Sequence, residues 1–246
     1  MDESGTLLAV VGASGGVGTS TFVVAVALHA AALERSVCVI DCDPLGGGID
    51  VTLGAEDWPG SRWRVFASAV GRLDAAGVAD SLPEVAGIRL LSHDREGKDV
   101  VRPSGPTVRS VTDALRRGHD LVIADLPRHP IAECDTLLEL ADEILVVASG
   151  RVRSVAGAIT VVADIESTYR KKPQLLVARG SERSLGAARI ADSVQADLAG
   201  EWLRDQKLSD DLERGVLARL LQTHRGGVGH TAQLVAMAMM RIKAVA

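Results

Sequence analysis

The sequence predicts an α/β fold, a mostly parallel sheet with helices on both faces. Hydrophobic residues make up 47% of the 246-residue chain and aromatics only 2%, so the core has to be built from Ala, Val, Leu and Ile spread over many strands and helices. Short apolar runs alternate with longer helical stretches, the pattern of strands joined by right-handed crossover helices. The runs are continuous, as strands buried on both faces require. The length fits one domain or at most two, and one, spanning 1–246, is the simpler reading.

In chain order, "TLLAVV" reads as the first strand and "STFVVAVALHAAALER" as the first helix, with "VCVID" the second strand. The segment from Asp43 to Gly87 is the least regular. Its "PLGGGIDVTLGAEDWPGSRW" is rich in glycine, and such an excursion in a compact domain is usually functional or mobile. Within it "RVFASAV" and "AAGVADSL" read as short helices, and Trp58 and Trp63 are expected to cover a core edge. "GIRLLS", "DLVIAD", "EILVVAS" and "QLLVAR" read as further strands. "PTVRSVTDALRRG", "CDTLLELA", "SVAGAITVVADIESTYRK" and "GAARIADSVQADL" read as the helices between and after them. From "DQKLSDDLERG" onward the pattern is helical, broken at "HRGGVGH" before "TAQLVAMAMMRIKAV". A ligand crevice is then expected beyond the carboxyl ends of the strands.

No apolar run reaches the roughly 18 residues that span a bilayer, and the start "MDESGTLLAVV" has no basic region ahead of its apolar stretch. The three cysteines, Cys38, Cys42 and Cys134, are too few and too irregularly spaced for a disulfide framework or a zinc site, and Cys38 reads as strand core. A soluble, cytoplasmic protein is expected. The net charge of −5 speaks against a general nucleic-acid binder.

"VVGASGGVGTST", residues 10–21, places a glycine-rich turn between the first strand and the first helix. Such a turn aims successive backbone N–H groups into one concavity, and the helix adds its positive dipole end, which suits a phosphate. Gly12, Gly16 and Gly18 fit the G-x-x-x-G-x-G turn of short-chain dehydrogenases. Gly15, Gly16 and Gly18 followed by Thr19, Ser20 and Thr21 fit a G-G-x-G-K-[ST] phosphate loop. Dehydrogenase chemistry needs a tyrosine with a lysine four positions on. The lone Tyr169 has Pro173 there, and Lys172 falls one short.

The second spacing gains support elsewhere. "VCVIDCDPLGGGID" carries Asp41 and Asp43 at the tip of the second strand, where alternate side chains can face one crevice, and "DLVIADLPRHP" ends a strand with Asp125. An aspartate at a strand end is often only a cap or turn residue; three of them beside a phosphate turn are more than that. Together these segments resemble the deviant Walker A P-loop ATPases of the ParA/MinD family. "GASGGVGTST", "IDCDPLGGGIDVTLG", "PGSRW", "DLVIADLPR" and "LERG", in this order, resemble the actinobacterial branch that includes septum-site-determining protein Ssd and the CpaE/TadZ proteins of Tad pilus and secretion loci. Many members carry a receiver-like domain ahead of the ATPase-type part; the expectation for residues 1–246 is the ATPase-type domain alone.

The resemblance implies a nucleotide site formed by Ser14, Gly15, Gly16, Val17, Gly18, Thr19, Ser20 and Thr21, binding ATP or ADP. Ser20, Asp43 and Asp125 would hold Mg²⁺, and Asp43 would help position the attacking water. Ser14 stands where the family's signature lysine would be, and Thr19 where the phosphate-clamping lysine would be. Binding is expected to outlast turnover, because the lost charge acts mainly in the transition state. Arg128, Arg151 and Arg153 are candidate compensating cations. A homodimer stays open, since Ser14 removes the lysine that in lysine-bearing members reaches the partner's nucleotide. Ala178 stands where relatives carry a base-contacting asparagine, so no base preference is implied.

The expected role is a spatial regulator of pilus, secretion or septum machinery with a degenerate nucleotide site, recruited by protein partners to a pole, the septum or the inner membrane face. The alternatives are a slow Mg-dependent ATPase and, further off, a short-chain dehydrogenase or a DNA-partitioning protein. For the last, Arg214, Arg219, Arg225, Arg241 and Lys243 are too scattered among acidic residues. The final apolar segment, with Met237, Met239 and Met240, is expected to pack on the domain, because a helix lying on a bilayer usually carries a well-charged face.

Overall fold

The computed structural model describes residues 4–94, 101–128, 132–180, 185–212, 214, 216, 220–223 and 226–242. Arg219, Arg225 and Lys243 lie outside them. Eight strands form one sheet: β1 (Thr6–Gly12), β2 (Val37–Asp41), β3 (Glu84–Val85), β4 (Ile88–Leu91), β5 (Leu121–Leu126), β6 (Glu143–Ser149), β7 (Gln174–Arg179) and β8 (Leu198–Leu203). Their spatial order is β3-β4-β2-β5-β1-β6-β7-β8. All neighbours are parallel except β3, which pairs antiparallel with β4.

Period-two geometry sorts the apolar strand residues onto two faces. On one face Leu7, Ala9 and Val11 of β1 join a core with α4 (Gly105–Gly118), α5 (Ala132–Leu140), α6 (Val152–Tyr169) and α7 (Ala187–Val194). On the other, Leu8 and Val10 join α1 (Thr19–Ala32), α2 (Ile49–Leu53) and α9 (Val228–Ile242). Phe22 through Ala30 of α1 are all buried. A helix apolar on every side has to be covered on every side; here the sheet lies under α1 and α9 packs beside it. Burial also lowers the pKa of the His29 ring, whose Nε2 lies 3.2 Å from the Leu220 carbonyl oxygen.

Several elements differ from the sequence reading. The helix expected over "GAARIADSVQADL" stops as α7 at Val194, where Gln195 takes a left-handed φ of 60°, and the chain returns as β8 from Leu198. Its "LAGEWL" breaks apolar continuity because β8 is an edge strand with mostly exposed or half-buried side chains. The excursion after β2 contains one 3-10 turn, Trp63–Phe66, and α3 (Ala75–Ser81), whose Asp74 side chain caps Gly77 N–H. The tryptophans there part company: Trp63 is 1% exposed and Trp58 46%. The short α8 (Gln206–Leu212) follows β8. The final helix packs as expected, burying Met239 and leaving Met237 partly exposed.

Candidate functional site

β1 lies between β5 and β6, so the chain moves to opposite sides of it and leaves a crevice beyond the carboxyl ends of the strands. The crevice has a volume of about 920 Å³, ample for a cofactor-sized ligand. Its floor is the glycine turn. Gly12 ends β1 so close to α1 that a Cβ there would lie 2.6 Å from Thr19 Oγ1. Gly16 and Gly18 hold φ values of +66° and +100°, which side-chain-bearing residues rarely adopt. Gly18 is the N-cap of α1 and offers no side-chain oxygen to its first N–H groups, so those donors face whatever enters the turn.

Ser14 turns toward α6: its Oγ donates to Ser154 Oγ at 3.0 Å, and Ser154 Oγ also accepts the Ser149 N–H at 2.9 Å. All eight residues from Ser14 to Thr21 line the crevice.

Opposite the turn stand the carboxylates. Ser20 Oγ donates to Asp125 Oδ2 at 2.6 Å, joining the first turn of α1 to the end of β5. Asp125 is buried, and burial pushes its carboxyl up to about 7; Ser20 opposes the shift, and Asp41 and Asp43 add to it. Asp41 pairs in register with Asp125 and is pushed up by burial to about 6. The sequence suggested that Asp41 and Asp43 point alike into one space. Both line the crevice, but their roles divide. Asp41 accepts the N–H groups of Asp43 and Ile49, each at 3.0 Å, and so pins the glycine-rich loop. Asp43 lies beyond the strand, its Oδ1 accepting from Leu45 N–H at 3.1 Å. Trp63 Nε1 donates to the Asp41 carbonyl at 2.9 Å, tying the excursion to the same strand end.

Of the three candidate arginines, Arg128 lines the crevice. Arg151 and Arg153 do not line it; they sit exposed at the start of α6. Tyr169 is also remote from it, with its hydroxyl donating to Asp135 at 2.6 Å. The structure brings in residues that the sequence reading missed: Arg102, Trp202, Arg204 and Asp205. Three of these stand on or just after β8, the unrecognised strand. Trp202 stacks on Phe22 of α1 with ring centroids 5.2 Å apart, and Arg204 Nη2 donates to the Gly16 carbonyl at 2.9 Å.

Sheet order, turn and carboxylates together define an α/β P-loop nucleoside-triphosphatase fold. Comparison with known proteins agrees. A ParA family ATPase from Chlorobium tepidum TLS superposes with a TM-score of 0.81 at 15% identity, covering 96% of this chain and 98% of that one. The septum site-determining protein MinD of Pyrococcus horikoshii OT3, complexed with Mg-ADP, gives 0.80 at 16% identity over 98% and 99%. MinD in the MinC:MinD complex of Aquifex aeolicus gives 0.77 at 20% identity over 96% of each chain. These likenesses establish a ParA/MinD-type fold. In sequence, uncharacterized proteins of Mycobacterium tuberculosis strains H37Rv and CDC 1551 are each 38% identical to this chain over 213 residues, 87% of its length. The chain spans 59% of the length of these curated relatives. No family model matches it. Among the described residues, no helix is long and apolar enough to cross a membrane.

Proposed function

We propose that the chain is a nucleotide-binding spatial regulator of the ParA/MinD family, on the CpaE/TadZ/Ssd-like branch, whose site binds ATP or ADP with Mg²⁺ and turns over little or not at all. One observation carries this reading: a phosphate-type turn, complete in its backbone, with Ser14 bonded to Ser154 and Thr19 at the head of α1 where lysines would reach the phosphates.

The residues present fit the group. Cβ positions at Gly15 and Gly16 meet nothing within 4 Å, leaving the turn open for close approach of phosphate oxygens to the amides of Gly15 through Ser20. The Ser20 hydroxyl and the carboxylates Asp43 and Asp125 are hard oxygen donors suited to Mg²⁺. Among the described residues no group of three His, Cys, Asp or Glu is arranged to hold an ion alone, so phosphate oxygens and water would complete the shell, as is usual for this ion. Bound Mg²⁺ would supply charge neutralisation at the phosphates. The turn would position the polyphosphate, and Asp43 would orient water. Losing one well-placed cationic donor costs roughly 2–4 kcal/mol of transition-state stabilisation, about a hundred- to a thousandfold in rate.

Such a protein would act through partners of pilus, secretion or septum machinery, its nucleotide state setting which surface it presents. The crevice carboxylates favour a second reading, a slow Mg-dependent ATPase. Calorimetric titration with ATP and ADP, with and without Mg²⁺, together with phosphate release against a no-enzyme blank, separates them. Binding without release supports the sensor, and release above the blank supports the enzyme. Absence of binding sinks both.

A further inference from the structure

Resting on that nucleotide reading, we infer that Arg204 is the cation that has taken over the phosphate-clamping role of the missing turn lysines, supplying charge from β8 instead of from the turn. The guanidinium is already at the cradle, with one N–H on the Gly16 carbonyl at 2.9 Å. Gly16 lies in the middle of the turn, and Arg204 lines the same crevice. A guanidinium has five N–H donors in a planar fork, so this bond leaves donors for phosphate oxygens, which arginine binds bidentately. Among the described residues Arg204 is in no ion pair, whereas Arg179 at the end of neighbouring β7 is paired with Glu201.

The backbone beneath Arg204 is fixed on both sides. Its own N–H donates to the Arg179 carbonyl at 2.8 Å, and the preceding Leu203 N–H donates to the Gly226 carbonyl at 2.8 Å. Two residues earlier, Trp202 stacks on Phe22 of α1, and its ring lies 4.0 Å from where a Gly18 Cβ would be. The strand that delivers the arginine is thus locked to the helix that the turn opens. A cation anchored this way reaches the cradle without a long side chain at position 19, where Thr19 now stands. Arg102 and Arg128 also line the crevice, but neither has a hydrogen bond to the turn among the described residues.

The test is titration of MgATP, MgADP and inorganic tripolyphosphate into the wild type, Arg204→Ala, Arg204→Gln, Arg204→Ala with Thr19→Lys, and Arg151→Ala as a control away from the crevice. The inference expects Arg204→Ala to weaken all three ligands at least tenfold. Arg204→Gln, which keeps a donor for the Gly16 carbonyl but no charge, should weaken them similarly. Thr19→Lys in the Arg204→Ala background should bring affinity back to within about threefold of wild type, and Arg151→Ala should leave it unchanged. Wild-type binding that persists in Arg204→Ala overturns the inference. So does full retention in Arg204→Gln, which would mean that Arg204 only braces the turn. If the wild type binds none of the three, the nucleotide reading itself fails.

Discussion

Ser20 and Asp125 share a 2.6 Å hydrogen bond within the crevice, one on the first turn of α1 and the other at the end of β5. The bond links the phosphate turn to the carboxylate side of the site before any ligand enters. Replacing Asp125 with Asn keeps an acceptor for Ser20 but removes the charge. The expected outcome is that Mg²⁺ no longer strengthens ATP binding in Asp125→Asn, while it does so in the wild type. Calorimetry with and without the ion reads this directly.

The same carboxyl makes stability depend on pH. Burial raises its pKa from 3.8 to about 7, so the folded chain binds the proton more tightly than the unfolded one. Its stabilising contribution is therefore complete below about pH 4 and declines as pH rises toward 7. In ligand-free buffer Asp125→Asn should match the wild type near pH 4 and be more stable above pH 7, by on the order of 4 kcal/mol. Denaturant unfolding at both pH values checks the sign; an advantage confined to low pH would contradict the burial argument.

A lysine placed in the turn should raise turnover. Thr19→Lys places a cation at the head of α1 within the crevice, and phosphate release from MgATP should rise by ten- to a thousandfold over the wild type, following the usual worth of one such donor. Ser14→Lys alone should raise turnover less, since it first breaks the bond to Ser154.

Trp63 is buried with its indole N–H on the Asp41 carbonyl. Trp63→Phe deletes that bond and leaves a gap, so a loss of about 1–3 kcal/mol is expected in urea unfolding. Because Asp41 holds the glycine-rich loop through Asp43 and Ile49, proteolysis within residues 43–49 should also accelerate.

The central strands and the turn were legible in the sequence because apolar continuity and glycine spacing report local physics. β8 was not, since an edge strand such as "LAGEWL" with Gly200 and Glu201 in its middle lacks the buried-strand signature. With it went Trp202, Arg204 and Asp205, whose arrival at the turn depends on pairing with β7 and on the Phe22 stack. Asp41 and Asp43 stand out at the strand end in the sequence, but the hydrogen bonds by which Asp41 pins the loop rest on backbone N–H groups that no residue pattern announces. Arg151 and Arg153, candidate cations in the sequence, stand exposed at the start of α6 and do not line the crevice, a placement that residue type alone does not report.

α9 buries Val228, Ala232, Val235, Ala236 and Met239 in the core that also contains α1. Peeling this helix away would strip one flank from an element whose residues Phe22–Ala30 are all buried, so α9 cannot come and go as a reversible tether without the domain turning sticky. Any docking to a lipid surface would therefore have to leave that lid shut and use some other part of the molecule.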